Sequence, residues 1–177
     1  MSEEEWPPTR VVIDDGVIAG DDPMAVIDPV WWTSDFYADY ARYEESLAPF
    51  SWPQRLVWAV LWHHSEVCNG GHDQFFYNST GMVWPEALEG LEAIGRADLA
   101  AILREAAARF PAPPSRERAQ REDVLDEAEI EFNDLDERFF VAMAGLDHAL
   151  LAYIRAQPEA FYFDGVVNKP APAWRGD

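Results

Sequence analysis

"CNGGHDQFFYNSTG", residues 68–81, decides how the chain is read. Two adjacent glycines separate a helix-like run from a short aromatic burst. A cysteine, a histidine, an aspartate and two asparagines surround them. A helix ending near Cys68 needs a left-handed residue just beyond it, and Asn69 or Gly70 can supply one without a steric penalty. Gly71 can then open a second short helix, with Asp73 in its first turn complementing the dipole. Phe75, Phe76 and Tyr77 would anchor that helix, and Asn78 and Gly81 would end it. The stretch lacks the Gly-Lys-Ser/Thr ending of a phosphate loop. It reads as a tight corner between helices, with polar side chains bonding the exposed backbone.

Helical periodicity extends on both sides of the corner. Upstream, "WPQRLVWAVLWHHSEV" begins with Pro53 in a first-turn position. It carries apolar residues around much of its circumference, as a central helix does. Before it, "SDFYADYARYEESL" places Phe36, Tyr40, Tyr43 and Leu47 at spacings of four, three and four, with Ser34 as N-cap. Downstream, "WPEALEGLEAIG" and "ADLAAILREAAARF" form two helices broken at Gly95, and Pro111, Pro113 and Pro114 force a loop. "SRERAQREDVLDEAE", "FNDLDERFFVAMAGL" and "DHALLAYIRAQPEAF" complete the set, with Asn133 or Asp134 as an N-cap. Residues 1–33 differ. "RVVIDDGVIAGDD" carries two β-branched runs around Asp15-Gly16, a favoured hairpin turn, and four prolines exclude a long helix there. The fold class expected is all-α: a compact multi-helix bundle with a short N-terminal extended or hairpin arm over 1–33. A single helical domain would span 34–163, with an extended tail over 164–177.

Composition narrows the function classes. Of 177 residues, 49% are hydrophobic, enough for one sizeable core. No apolar run approaches the ~18 residues of a transmembrane helix. The N-terminus is acidic and lacks the plan of a secretory signal. The single cysteine excludes an internal disulfide framework. A soluble cytoplasmic protein is expected. The 33 acidic residues against 13 basic ones give a formal charge of −20, far outside the magnitude of about 2–8 that serves a small soluble domain. Such a charge repels nucleic acids and anionic membranes and attracts basic proteins at long range.

The acids concentrate in "EDVLDEAEIEFNDLDE", residues 122–137. Leu125, Ala128, Phe132, Leu135 and Phe139 form one apolar stripe. Glu122, Asp123, Asp126, Glu127, Glu129, Glu131, Asp134, Asp136 and Glu137 fill the remaining circumference. Carboxylates one helical turn apart lie about 6 Å apart along the axis, a density of fixed charge of the kind a nucleic-acid backbone carries. Charge runs usually mark a solvated face, but like charges at i, i+4 also cost helix stability.

Metal and nucleophile readings centre on His64, Cys68 and His72. His64 and Cys68 stand at i, i+4 and can converge. His63 and His64 are adjacent and point about 100° apart. No zinc signature with two ligand pairs is present. A lone cysteine is most often a small buried hydrophobe. No metal, cofactor or catalytic residue is therefore assigned, and the protein is expected not to be an enzyme.

"EVCNGGHDQFFYNSTG", then "ALEGLEAIG", then "FNDLDERFF…LLAYIRAQPEAF", resembles a family of small acidic bacterial proteins catalogued as a domain of unknown function. Its best-described member is a DNA-mimic protein, a helical dimer whose acidic surface occupies the DNA-binding face of a transcriptional repressor. The resemblance covers roughly residues 50–163 and leaves out the first 33. It rests on Asn69, Gly70, Gly71, Gln74, Phe75, Phe76, Asn78 and Gly81. This chain departs from the family pattern at His72, where an apolar or aromatic residue usually follows the glycines. The resemblance implies that the glycine stretch is a structural signature and not a catalytic loop.

The expected function is a non-enzymatic, homodimeric acidic binder, a DNA mimic that occupies the DNA-binding face of a basic protein such as a transcription regulator. It would touch neither nucleic acid nor membrane. The partner-binding residues expected are Glu122, Asp123, Asp126, Glu127, Glu129 and Asp136, and Trp31, Trp32 and Trp52 are the candidate dimer-interface rings. Two alternatives stand beside it: an immunity or antitoxin-like binder of a basic toxin, and a metal protein or enzyme centred on His64, Cys68 and His72.

Overall fold

Ten α-helices and a two-stranded sheet make up the described part of the chain. The computed structural model describes residues 6–170; the acids of residues 1–5 and the tail beyond 170 lie outside it. The protein is all-α in class. The helices are α1 (Asp15–Ile18), α2 (Pro23–Val26), α3 (Asp28–Thr33), α4 (Tyr40–Ser46), α5 (Trp52–Tyr77), α6 (Trp84–Ala93), α7 (Ala97–Ala108), α8 (Arg118–Ala128), α9 (Asn133–Ala142) and α10 (Leu146–Arg155). Strands β1 (Pro8–Ile13) and β2 (Phe163–Asn168) pair antiparallel.

α5 is the axis of the molecule. Its start is fixed by a capping box: the Ser51 hydroxyl accepts from the Gln54 backbone N–H, and the Gln54 carboxamide accepts from the Ser51 N–H at 2.8 Å. The Ser51 hydroxyl also donates to the Ala160 carbonyl at 2.6 Å, tying the cap to the C-terminal segment. The two reciprocal bonds satisfy donors that a helix start otherwise leaves orphaned. Leu56, Val57, Trp58, Ala59, Val60 and Leu61 are buried in succession, so this part of the helix is enclosed around its whole circumference. Around it lie α3, α6, α8 and α9, and the core continues through Leu91, Leu99, Leu103, Leu135, Leu150 and Phe161.

The N-terminal hairpin expected around Asp15-Gly16 does not form. The Asp14 carboxylate accepts from the Gly16 and Val17 N–H groups at 2.9 and 3.1 Å, so "DDG" starts a helix. β1 finds its partner about 150 residues away, in a segment read as extended tail, with Ile13 opposite Phe163 and Pro8 opposite Asn168. Residues 15–33 are also no loose arm: Ile18, Val26, Ile27 and Val30 lie in the core. Ser34 closes α3 instead of opening a helix. α4 begins later, where the Asp39 side chain accepts from the Arg42 N–H. Phe132, not Asn133 or Asp134, stands at the start of α9.

The expectation of one apolar stripe through Leu125, Ala128, Phe132, Leu135 and Phe139 also gives way. α8 ends at Ala128, and Glu129 is left-handed with φ 46°. The chain turns there before α9 begins. Leu125, Phe132, Leu135 and Phe139 are buried as the stripe requires, but from two helices, and Ala128 is exposed.

Candidate functional site: the glycine corner and the acidic face beside it

The corner in α5 is a sharp break in backbone geometry. Gly70 has φ −154° and ψ 25°, and Gly71 has φ 74° and ψ −177°. The positive-φ residue is thus Gly71, not Asn69 or Gly70. A side chain there would be strained by the backbone. Its Cβ would also collide with the Asp136 carboxylate, which rests against Gly71 from α9.

Asp136 is the pin of the corner. Its Oδ1 accepts from the His72 backbone N–H at 2.9 Å and from His72 Nδ1 at 2.6 Å. Its side chain is only 17% exposed. The expectation that Asp136 contacts a partner is corrected: its carboxylate is used inside the molecule. His72 is fully buried, and its Nε2 lies 3.4 Å from Nε2 of His63, which is also buried. Because Asp136 accepts the hydrogen bond from His72 Nδ1–H, the remaining nitrogen of the neutral His72 ring accepts, and His63 Nε2–H donates to it. His63 Nδ1 is left without a partner. Burial pushes both imidazole pKa values below their ordinary range, that of His63 furthest. Asp136 opposes the shift at His72.

Glu66 organises the other side of the corner. This buried carboxylate accepts from Gln74 Nε2 at 2.6 Å, Asn78 Nδ2 at 3.0 Å and Thr80 Oγ1 at 2.8 Å. Three donors from beyond the glycines close back onto one acid from before them. Phe75 and Phe76 are buried in the core as expected. Gly81 lies against the Phe75 carbonyl and Arg121, whose Nε would stand 2.8 Å from an added Cβ. Asn69 is exposed.

Arg121 completes the arrangement. It is 1% exposed, and its guanidinium donates to the carbonyls of Phe76, Asn78, Ser115 and Arg116 at 2.6–2.9 Å. Desolvation lowers its pKa to about 10. It fastens α8 to the end of α5 through backbone oxygens alone. Glu66, Thr80, His63 and Arg121 were not legible in the sequence. Their partners sit 5 to 45 positions away, and those on the far side of the glycines are brought into reach by the break.

The grouping of His64, Cys68 and His72 is taken apart by the same break. His64 Nε2 and Cys68 Sγ do converge at 3.4 Å, but on an exposed face, where Cys68 also meets the Met143 sulfur. His72 points inward to His63 and Asp136. Among the described residues, no group of three or more His, Cys, Asp or Glu side chains is placed to hold a metal ion.

The acidic face lies beside the corner. Asp123, Asp126, Glu127, Glu129 and Glu137 are exposed. Glu122 pairs with Arg118 at 2.8 Å, and Asp134 is held by both terminal nitrogens of Arg109 at 2.6 and 2.7 Å. That pairing keeps the Asp134 pKa down at about 2. Asp73, just past the glycines, joins this face: burial first, then Asp136 and Asp126, push its carboxyl pKa up.

Of the rings expected at an interface, Trp31 stacks inside the molecule on Trp62. Trp32 donates to Asp28 at 3.1 Å, and Trp52 remains 43% exposed. No helix among the described residues is long and apolar enough to cross a membrane.

A family model described as DMP19-like protein matches residues 48–157. That span holds α5 to α10, including the corner, Glu66, Arg121 and Asp136. Neither a curated protein nor a solved structure matches the chain.

Proposed function

The chain belongs to the DMP19-like protein family, and on that premise we propose that it is a non-enzymatic acidic binding protein of the cytoplasm, a DNA mimic that occupies the DNA-binding face of a basic partner such as a transcription regulator. One observation carries the reading. Asp123, Asp126, Glu127, Glu129 and Glu137 stand exposed on adjoining helices of a chain with charge −20, and among the described residues none has an ion-pair partner. Acids needed for the fold are bonded internally, as Glu66 and Asp136 are. The surface acids have no such use in the monomer, and a field of this sign steers basic proteins toward the face.

The test is capture on immobilised protein at low salt followed by elution with duplex DNA. A basic DNA-binding protein released by DNA supports mimicry. A captured basic protein that salt releases and DNA does not is the outcome expected of a toxin-binding immunity protein, and it overturns the mimic reading. Homodimerisation belongs to the same proposal and is consistent with the exposed Phe140 and Val141 of α9. Sedimentation at micromolar concentration should give about twice the monomer mass of 20.1 kDa; a clean monomer removes the dimer from the proposal.

A further inference from the structure

A groove of about 620 Å³ runs along the outer face of α5 ahead of the glycine corner, between α2–α3 and the start of α10. Its wall is a cluster of three indoles. Trp31 and Trp62 stack at 5.1 Å with 15° between planes, and Trp58 meets both edge-on at 5.2 Å. Two carboxylates are part of the lining, Asp22 from α2's cap and Asp147 from α10's first turn. No lysine or arginine lines the groove. His64, also in the lining, has its pKa held down by burial, so it adds no opposing positive charge at neutral pH. Trp58 and Trp62 each keep a buried indole N–H with no acceptor.

We propose that this groove seats an arginine side chain from a peptide segment of the basic partner, an inference that rests on the function proposed above. A planar guanidinium stacks on indole faces and bonds carboxylates, which the more strongly hydrated, compact lysine ammonium does less well. An apolar ligand would make no use of the two carboxylates, and an anion would meet two like charges. The groove therefore reads a residue type, whereas the acidic face of α8 and α9 reads charge alone.

The experiment is a titration of the ¹⁵N-labelled full chain with acetyl-Gly-Arg-Gly-amide, followed at the indole N–H signals. Saturable shifts are expected at Trp31, Trp58 and Trp62, with affinity at least about tenfold weaker for the citrulline peptide, which keeps shape but loses charge. The lysine peptide, equal in charge, should fall between the two. Asp22→Asn with Asp147→Asn preserves the α2 cap and should abolish the arginine preference. Glu131→Gln with Glu159→Gln, the same charge change at exposed acids outside the groove lining, should leave it intact. Absent shifts, equal binding of the citrulline peptide, or equal losses in both double variants would overturn the groove assignment. If that happens while DNA still releases a captured partner, the function proposed above stands without the groove. If the peptide binds as expected and no captured protein is released by DNA, the groove stands and the mimic reading falls.

Discussion

Gly71 and its neighbour Gly70 are chemically identical and structurally unequal. Gly71 combines φ 74° with a carboxylate packed where a Cβ would go, while Gly70 has no positive φ and meets the side chain of Gln74, both its carboxamide and its Cβ. Gly71→Ala should destabilise the protein by about 1–3 kcal/mol, the usual magnitude of imposed backbone strain. Gly70→Ala should lose less, about one hydrogen bond's worth, as Gln74 shifts from Glu66. Urea denaturation of the two variants checks this, and equal losses would show that positive φ is not what the corner requires. The His63–His72 pair makes a pH prediction. Both folded-state pKa values lie below the ordinary value of 6.5, so the unfolded chain binds protons more readily. Stability from this pair is complete above about pH 7 and declines as pH falls through 6.5, by up to about 1.4 kcal/mol per pH unit for each proton taken up. The urea midpoint measured from pH 8 to pH 5 should fall less steeply in His63→Gln than in the natural sequence.

At the scale of elements, α8 and α9 divide the acids between two uses. Asp136 is pinned under the corner, and Glu122 and Asp134 are paired. Asp123, Asp126, Glu127 and Glu137, with Glu129 in the turn between the helices, are free to face a partner, and the first four stand on the helices themselves. Changing these four to Asn or Gln removes four charges without touching an internal bond. The variant should fold normally, with slight stabilisation from relieved repulsion. Its association with a basic partner should slow, and the salt dependence should flatten, because exposed charges are screened over about 8–10 Å. Stopped-flow association at two salt concentrations checks this. Unchanged, salt-sensitive association would move the recognition face elsewhere. Asp136→Asn alone should behave oppositely, losing stability because its acceptor role at His72 is weakened.

Across the whole molecule, the first and last elements of the described residues, β1 and β2, pair in one sheet against the bundle. Arg10 and Asp164 join the strands through two bonds of 2.9 and 2.7 Å, and Phe163 of β2 stacks with Phe50 at 5.6 Å. The alternation of a half-covered strand is steep here: Val166 is 64% exposed and Val167 5%. Val167→Ala should cost about 1–2 kcal/mol and Val166→Ala close to nothing. Thermal melts of the pair measure the difference. Comparable losses would mean that β2 is not docked in this register.

The helices of the bundle beyond residue 50, the presence of a corner and the acidic character were determined by the sequence alone, because each is a local property. Three- and four-residue spacing finds α5, α6, α7 and α10. Adjacent glycines between two helical runs mark a break, and a charge of −20 needs only counting. The tertiary structure decided which acid does what. Glu66, Asp136 and Asp126 are alike in sequence, and only packing makes the first a buried acceptor for three donors, the second the pin of the corner and the third a surface charge. It also decided the partner of β1 and the separation of His72 from His64 and Cys68. The physical reason is that a side chain's solvation and hydrogen-bond partners depend on elements far away in the chain, whereas periodicity and turn propensity depend on the next few residues.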